Sequence, residues 1–373
     1  MEYPIHVLQV GMSPYYGGTE AFIMSQYRRI DREKVQFDFL NVFGEEIACE
    51  QEIQELGGKV YPLNMARHKG LKAYYQSMNL FFQEHAKQFQ IIHCNLQSLI
   101  NIDPLVYAKK YGIPVRIAHA HNSGYGKEPN WKQKLIIFKN QIALSSSANA
   151  YFACSDLAAH WMFHRDATIV NNAIDAEKYR FSEATRKRVR AEIGVRNEKV
   201  VITVGRLDPQ KNPIFTIDIF AELLKLDSNC KLIIVGDGIL REQVTNRIDK
   251  YAINDKVMLL GTRTDVPELL QAADVFVLPS MFEGLGIVLV EAQAAGLPCF
   301  ASERVVPSQV NITGKVSFIP IDKGAPIWAE KIHKCQIEKR MDTYKTICSA
   351  GYDTKENALK LQNNYISYME NSV

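Results

Sequence analysis

Residues 275–291 read Val275-Phe276-Val277-Leu278-Pro279-Ser280-Met281-Phe282-Glu283-Gly284-Leu285-Gly286-Ile287-Val288-Leu289-Val290-Glu291. The apolar run 275–278 reads as a buried strand, Pro279 and Ser280 as its turn, and 287–290 as the start of an apolar helix behind two glycines. A strand that passes through a glycine loop into a helix aims backbone N–H groups and the positive end of the helix dipole at one point. That suits an anion. Glu283 lies on the loop, and Glu291 is expected about two turns into the helix. Free carboxylates beside a phosphate would repel it, so Glu283 is expected to hold the hydroxyls of a sugar and Glu291 those of a ribose. The plainer alternative for Glu291 is a solvent-facing helix residue.

Outward from this stretch, short β-branched runs alternate with longer helical segments, the pattern of parallel sheets with crossover helices. Strands are expected at 5–10, 35–40, 59–62, 91–95, 115–119, 150–154 and 168–170. The pattern restarts at 200–205, 231–236, 256–261, 275–279, 298–301 and 316–319. Between the two sets, residues 171–196 are polar and carry no strand. The expectation is two Rossmann-like domains, 1–176 and 177–353, with a last helix in 354–373 crossing back to the first domain. Ligands of open α/β sheets bind outside the carboxyl ends of the strands, here in a cleft between two such sheets.

Composition sets bounds. With 373 residues, 47% of them apolar and 23% charged, the chain can bury two cores and is not disordered. A net charge of +3 argues against nucleic acid as the main partner. The start at Met1 lacks a basic, apolar leader, and no apolar run is long enough to span a membrane. Seven scattered cysteines without Cys-x-x-Cys spacing suggest neither a disulfide framework nor a zinc site, and fit a cytoplasmic location. Between Arg67 and Lys139, eleven basic residues, Lys127 among them, stand against Glu84, Asp103 and Glu128. This is either a solvated face or a patch for anionic lipid headgroups at the inner face of the plasma membrane.

The second signal is Val204-Gly205-Arg206-Leu207-Asp208-Pro209-Gln210-Lys211-Asn212-Pro213. Two cations at a strand end and helix start suit a diphosphate, Arg206 through its planar fork and Lys211 as a compact charge. Cations placed where charge grows on a leaving diphosphate stabilise the transition state more than the ground state. In the first half, Tyr16-Gly17-Gly18-Thr19-Glu20 reads as a glycine turn that lets backbone approach a phosphate, with Thr19 able to cap the next helix. Arg116-Ile117-Ala118-His119-Ala120-His121-Asn122-Ser123 puts two histidines on one face of a strand end. No third ligand of suitable spacing accompanies them, so no metal is expected.

Taken in order, Gly205-Arg206 with Lys211, Val235-Gly236-Asp237-Gly238, Gly261 before Arg263 and Asp265, and Glu283 with Glu291 closely resemble family four of the glycosyltransferases. The resemblance covers most of the chain and extends to bacterial capsular and exopolysaccharide enzymes. It implies a GT-B fold, a nucleotide-diphosphate sugar as co-substrate (uridine favoured), retention at the anomeric carbon, and no cofactor or metal. It also implies roles. Arg206 and Lys211 resemble the diphosphate clamp, and Glu283 the sugar contact, with amides from Gly284, Leu285, Gly286 and Ile287. Glu291 resembles the ribose contact, and Gly261, Thr262 and Arg263 the loop along the base. Gly205, Gly236, Gly17 and Gly18 complete the donor site. A histidine belongs at the 115–121 strand end, His121 favoured and His119 its rival. Asn171-Asn172 stands where the family often has Asn-Gly, so a left-handed turn there would fall to asparagine. No carboxylate is placed as a covalent nucleophile, so attack from the face of the departing diphosphate is expected. The expected acceptor is a saccharide or lipid-linked saccharide. The alternatives are a nucleotide-sugar epimerase on the same fold and a non-catalytic sugar-nucleotide-binding protein.

Overall fold

The computed structural model describes residues 3–64, 66–67, 69–125, 128–336 and 339–370; Lys127 lies outside them. The chain forms two compact units, 1–173 with 354–373, and 174–353. The first holds β1 (Ile5–Val10), β2 (Val35–Asn41), β3 (Val60–Pro62), β4 (Ile91–Leu96), β5 (Val115–Ala120), β6 (Ala150–Ala153) and β7 (Thr168–Ile169). The second holds β8 (Lys199–Val204), β9 (Cys230–Val235), β10 (Val257–Leu259), β11 (Val275–Leu278), β12 (Cys299–Ser302) and β13 (Val316–Ile319). The strand orders are β3-β2-β1-β4-β5-β6-β7 and β10-β9-β8-β11-β12-β13, and every pairing is parallel. All thirteen expected strands are present, each within two residues of its expected ends.

The strands are apolar because helices cover both faces of a parallel sheet. Val7, Phe37, Phe39, Ile91 and Ile117 enter the core of the first unit. Leu361 and Tyr365, from the helix Thr354–Glu370, lie in that same core. The second core is built on Val201, Leu232, Ile234, Val275, Val277 and Trp328. The polar stretch at the start of the second unit forms the helix Glu183–Glu192. An ionic clamp ties it to the sheet: Arg186 Nη2 lies 2.5 Å and Arg190 Nη1 3.2 Å from the buried Asp274 carboxylate. The same carboxylate accepts the Val200 N–H at 2.8 Å. Neither Asn171 nor Asn172 adopts the left-handed conformation expected of them. No glycine is needed there, because neither residue has a positive φ.

Candidate active site

In the second unit, four sequence-distant loops follow four neighbouring strands. Gly205 follows β8, Gly236 follows β9, Gly261 comes shortly after β10, and Pro279 follows β11. All four lie at the carboxyl ends, where such sheets bind ligands. Glycine is required where these backbones close up. A Cβ on Gly236, whose φ is +129°, would stand 2.0 Å from the Gly205 carbonyl oxygen. A Cβ on Gly238 would lie 2.5 Å from the Leu207 oxygen. The Gly236 N–H donates to the Gly261 carbonyl at 2.8 Å.

Backbone and side chains stitch the 206–213 loop to the 279–283 loop. The Met281 N–H donates to Gln210 O at 2.7 Å, and Gln210 Nε2 to Phe282 O at 3.2 Å. Asn212 adopts a left-handed φ of 53° that asparagine tolerates, and Pro213 then opens the helix Pro213–Leu226. This turn directs Lys211 inward. Its Nζ lies 2.6 Å from Glu283 Oε1, which also accepts the Ser280 hydroxyl at 2.6 Å. Glu283 is 3% exposed, so the pair is desolvated and rigid. Lys211 thus neutralises the Glu283 carboxylate within the protein itself. Arg206 differs. Its side chain is 68% exposed, with Asp208 3.2 Å away, and a pair so exposed holds it by no more than about 1 kcal/mol. One cation is fixed and the other is able to swing.

The helix after the glycine loop is Ile287–Ala294, with Gly286 left-handed before it at φ 79° and Leu285 buried beneath. Gly284 lies on the loop itself. Glu291 is thus about one turn into the helix, not two, because the loop runs on to Gly286. It does not face open solvent: Tyr179 Oη donates to its Oε1 at 2.8 Å. Burial raises its pKa, opposed by that hydrogen bond and by Lys211. Thr262 and Arg263 are exposed, and Arg263 pairs with Asp265 at 2.6 Å.

In the first unit the carboxyl ends of β1, β4 and β5 lie side by side. Gly11 follows β1 at φ +125°, and a Cβ there would meet the Asn95 oxygen at 2.7 Å. The helix Gly18–Tyr27 starts behind Gly17. Thr19 does not cap it, because the helix starts before it with Gly17 as the N-cap; the Glu20 carboxylate accepts the Gly17 N–H at 3.0 Å, and the Thr19 hydroxyl accepts from the Gln97 amide. A Cβ on Gly18 would meet nothing within 4 Å.

Parallel register places Gln9 beside His93, and Asn95 beside His119. The side chains then form a directed network. Asn95 Nδ2 donates to Val10 O at 3.1 Å and Gln9 Oε1 at 3.0 Å, which turns its Oδ1 to His121 Nε2 at 2.9 Å. His121 must therefore carry its proton on Nε2, leaving a lone pair on Nδ1. Gln9 Nε2 donates to Tyr365 Oη at 3.3 Å, so the tyrosine gives its own proton to His93 Nδ1 at 2.6 Å. His93 Nε2 then donates to His119 Nδ1 at 2.9 Å, and His119 is left with a proton on Nε2. His121 Nδ1 and His119 Nε2 are buried and without a hydrogen-bond partner among the described residues. One acceptor and one donor are thus held ready by a network anchored on a backbone carbonyl. Burial keeps the rings neutral, pushing His93 and His121 down to about 3 and lowering His119 well below its ordinary value, where the neighbouring His121 and His93 add to the effect.

The sequence reading gave no hydrogen-bonding role to Ser280, Tyr179, Gln9, His93, Asn95 or Tyr365. Three of them carried a signal. Gln9, His93 and Asn95 are the polar exceptions on one face of strands that should be wholly apolar. A surface cavity of about 1020 Å³ lined by Arg186, Arg190, Lys199 and Asp274 lies at the amino ends of the second sheet, away from this site.

The carboxyl edge of this sheet gathers an arginine, a locked lysine–glutamate pair and a glycine-opened helix, and residues 185–342, all within the second unit, match the glycosyl transferases group 1 family. The two-unit architecture is that of GT-B glycosyltransferases. Across the chain, the EpsF protein of Bacillus subtilis (strain 168) is 29% identical over 371 residues, 97% of this chain and 95% of its own. An Escherichia coli UDP-Gal:alpha-D-GlcNAc-diphosphoundecaprenol alpha-1,3-galactosyltransferase is 26% identical over 315 residues, 80% of this chain and 79% of its own. Among solved structures, Anabaena HepE in complex with UDP and glucose superposes with a TM-score of 0.71 at 19% identity, covering 98% of this chain and 99% of that one.

Proposed function

We propose that this protein is a retaining, metal-independent glycosyltransferase that moves a hexosyl unit from a UDP-sugar to a saccharide or lipid-linked saccharide in polysaccharide assembly. The observation that carries the reading is the carboxyl edge of the second sheet, where Lys211 is locked to Glu283 while Arg206 is free to swing. In the reaction, Arg206 closes on the diphosphate and Lys211 supplies fixed positive charge as the glycosyl bond breaks. Glu283, already neutralised, accepts hydroxyls of the donor sugar without repelling the phosphates. Glu291, oriented by Tyr179, accepts those of the ribose. His121 offers its Nδ1 lone pair to a sugar hydroxyl. Retention is what the resemblance to family four implies; with Glu283 pinned by Lys211 and Ser280 and no other carboxylate of this edge among the described residues poised as a nucleophile, it is met by acceptor attack on the leaving-group face and not through a covalent intermediate. The UDP donor of the E. coli relative and the UDP bound to HepE favour uridine.

The test is a thermal-shift panel of uridine, guanosine, adenosine and thymidine diphosphates, with and without chelator, followed by UDP release from UDP-sugars. A shift specific to UDP and unchanged by chelator is expected. Arg206→Ala should lower turnover by about 10²–10³. Near-normal turnover in that variant would sink the assignment of the clamp, and no shift with any nucleotide would sink the donor site.

A further inference from the structure

The helix Trp131–Ser147 is built inside out. Its polar Asn140 faces the protein, donating to the Leu99 carbonyl at 2.6 Å, and Ser147 is buried beside Leu144. Its large apolar residues point outward: Trp131 is 72%, Leu135 50%, Phe138 64% and Ile142 62% exposed. At about 100° per residue these four fall within roughly 60° of one another, one stripe along the outer face. Lys132 and Lys139 flank the stripe on one side and Lys134 on the other, all exposed. The helix has three lysines and no carboxylate. The neighbouring helix Asp103–Lys110 adds Lys109 and Lys110, also exposed.

An apolar stripe bordered by cations is the geometry of a helix that lies in a membrane interface, its ring and aliphatic groups below the headgroups and its ammonium groups among them. We propose that Trp131–Ser147 docks this protein on an anionic lipid surface, with Trp131, Leu135, Phe138 and Ile142 entering the boundary of the acyl chains. The flanking charge selects the occupant. A second copy of the chain would bring lysine against lysine, whereas acidic headgroups neutralise both borders at once. No helix among the described residues is long and apolar enough to cross a membrane, so this attachment is peripheral. It stands apart from the transfer reaction, because docking needs no nucleotide.

The experiment is co-sedimentation of the full chain with vesicles of phosphatidylcholine alone and of phosphatidylcholine with phosphatidylglycerol. Binding to the anionic vesicles, weakened by added salt, is expected. Leu135→Ser/Phe138→Ser/Ile142→Ser should weaken it at least about tenfold. Lys132→Gln/Lys134→Gln/Lys139→Gln should do the same, at about fivefold per lysine at most. Both sets lie on the surface, and a melting temperature equal to that of the wild type verifies their fold. Three outcomes would overturn the proposal: no wild-type binding to anionic vesicles, binding untouched by the stripe substitutions, or a self-association that those substitutions abolish while vesicle binding persists.

Discussion

Lowering the pH from about 7.5 to about 5.5 should remove about 4 kcal/mol from the stability of the first unit. The source is the ring network of His93, His119 and His121, all buried and neutral. An unfolded chain protonates each ring near the ordinary value of 6.5, while the folded protein holds His93 and His121 near 3 and lowers His119 well below that ordinary value. The folded values lie below the unfolded one, so stability is complete above 6.5 and declines as the pH falls through it. Each ring costs RT ln(1 + 10^(6.5 − pH)), about 1.4 kcal/mol at pH 5.5 and near zero at 7.5. The assay is urea unfolding at a series of pH values, read by hydrogen exchange of the β4 and β5 amides. The pH slope below about 6 should correspond to about three protons, and His93→Gln should lower it by about one. The reasoning fails if NMR shows these rings titrating near 6.5 in the folded protein, or if His93→Gln leaves the slope unchanged.

Four further outcomes follow from the geometry. Asp274→Ala leaves Arg186 and Arg190 without their buried partner and should cost about 3–5 kcal/mol in urea unfolding of the second unit. Gly236→Ala must push the Gly205 carbonyl away; about 1–3 kcal/mol of stability and most UDP affinity should be lost, measured by melting and calorimetry. Asn95→Leu frees the His121 tautomer and should lower turnover tenfold or more, to about a hundredfold, with KM for the donor changed far less. UDP should bind more weakly as the pH falls through the raised pKa of Glu291, since its carboxyl then loses an acceptor. That part of the pH dependence should vanish in Glu291→Gln.

The fold was legible because strand periodicity and glycine punctuation are local. Residues 275–278 are apolar on both faces for the same reason that β11 is central, with neighbours on both sides and helices above and below. The cations and glycines of the site were legible too, each following its own strand. What could not be read was pairing. Nothing near Lys211 in sequence says that Glu283 will neutralise it, because the contact arises from β8 and β11 being neighbours. Tyr179 reaches Glu291 across 112 positions and Tyr365 reaches His93 across 272. The two turns expected before Glu291 became one because a left-handed glycine delayed the helix, and the Thr19 cap was lost because the other helix begins earlier, behind Gly17, which leaves Thr19 inside its first turn.

The helix Thr354–Glu370 has a consequence for biosynthesis. It supplies Leu361 and Tyr365 to the core of a unit whose other residues precede 174. A ribosome making about 5–20 residues per second needs roughly 10–40 s to pass the intervening 174–353 stretch. During that interval the second unit, continuous in sequence, can fold to completion. The first waits with a groove open over Phe37 and His93, the rings that Tyr365 later touches. Maturation therefore runs against chain order, and a nascent chain halted before residue 354 exposes to chaperones the surface that its last helix would have sealed.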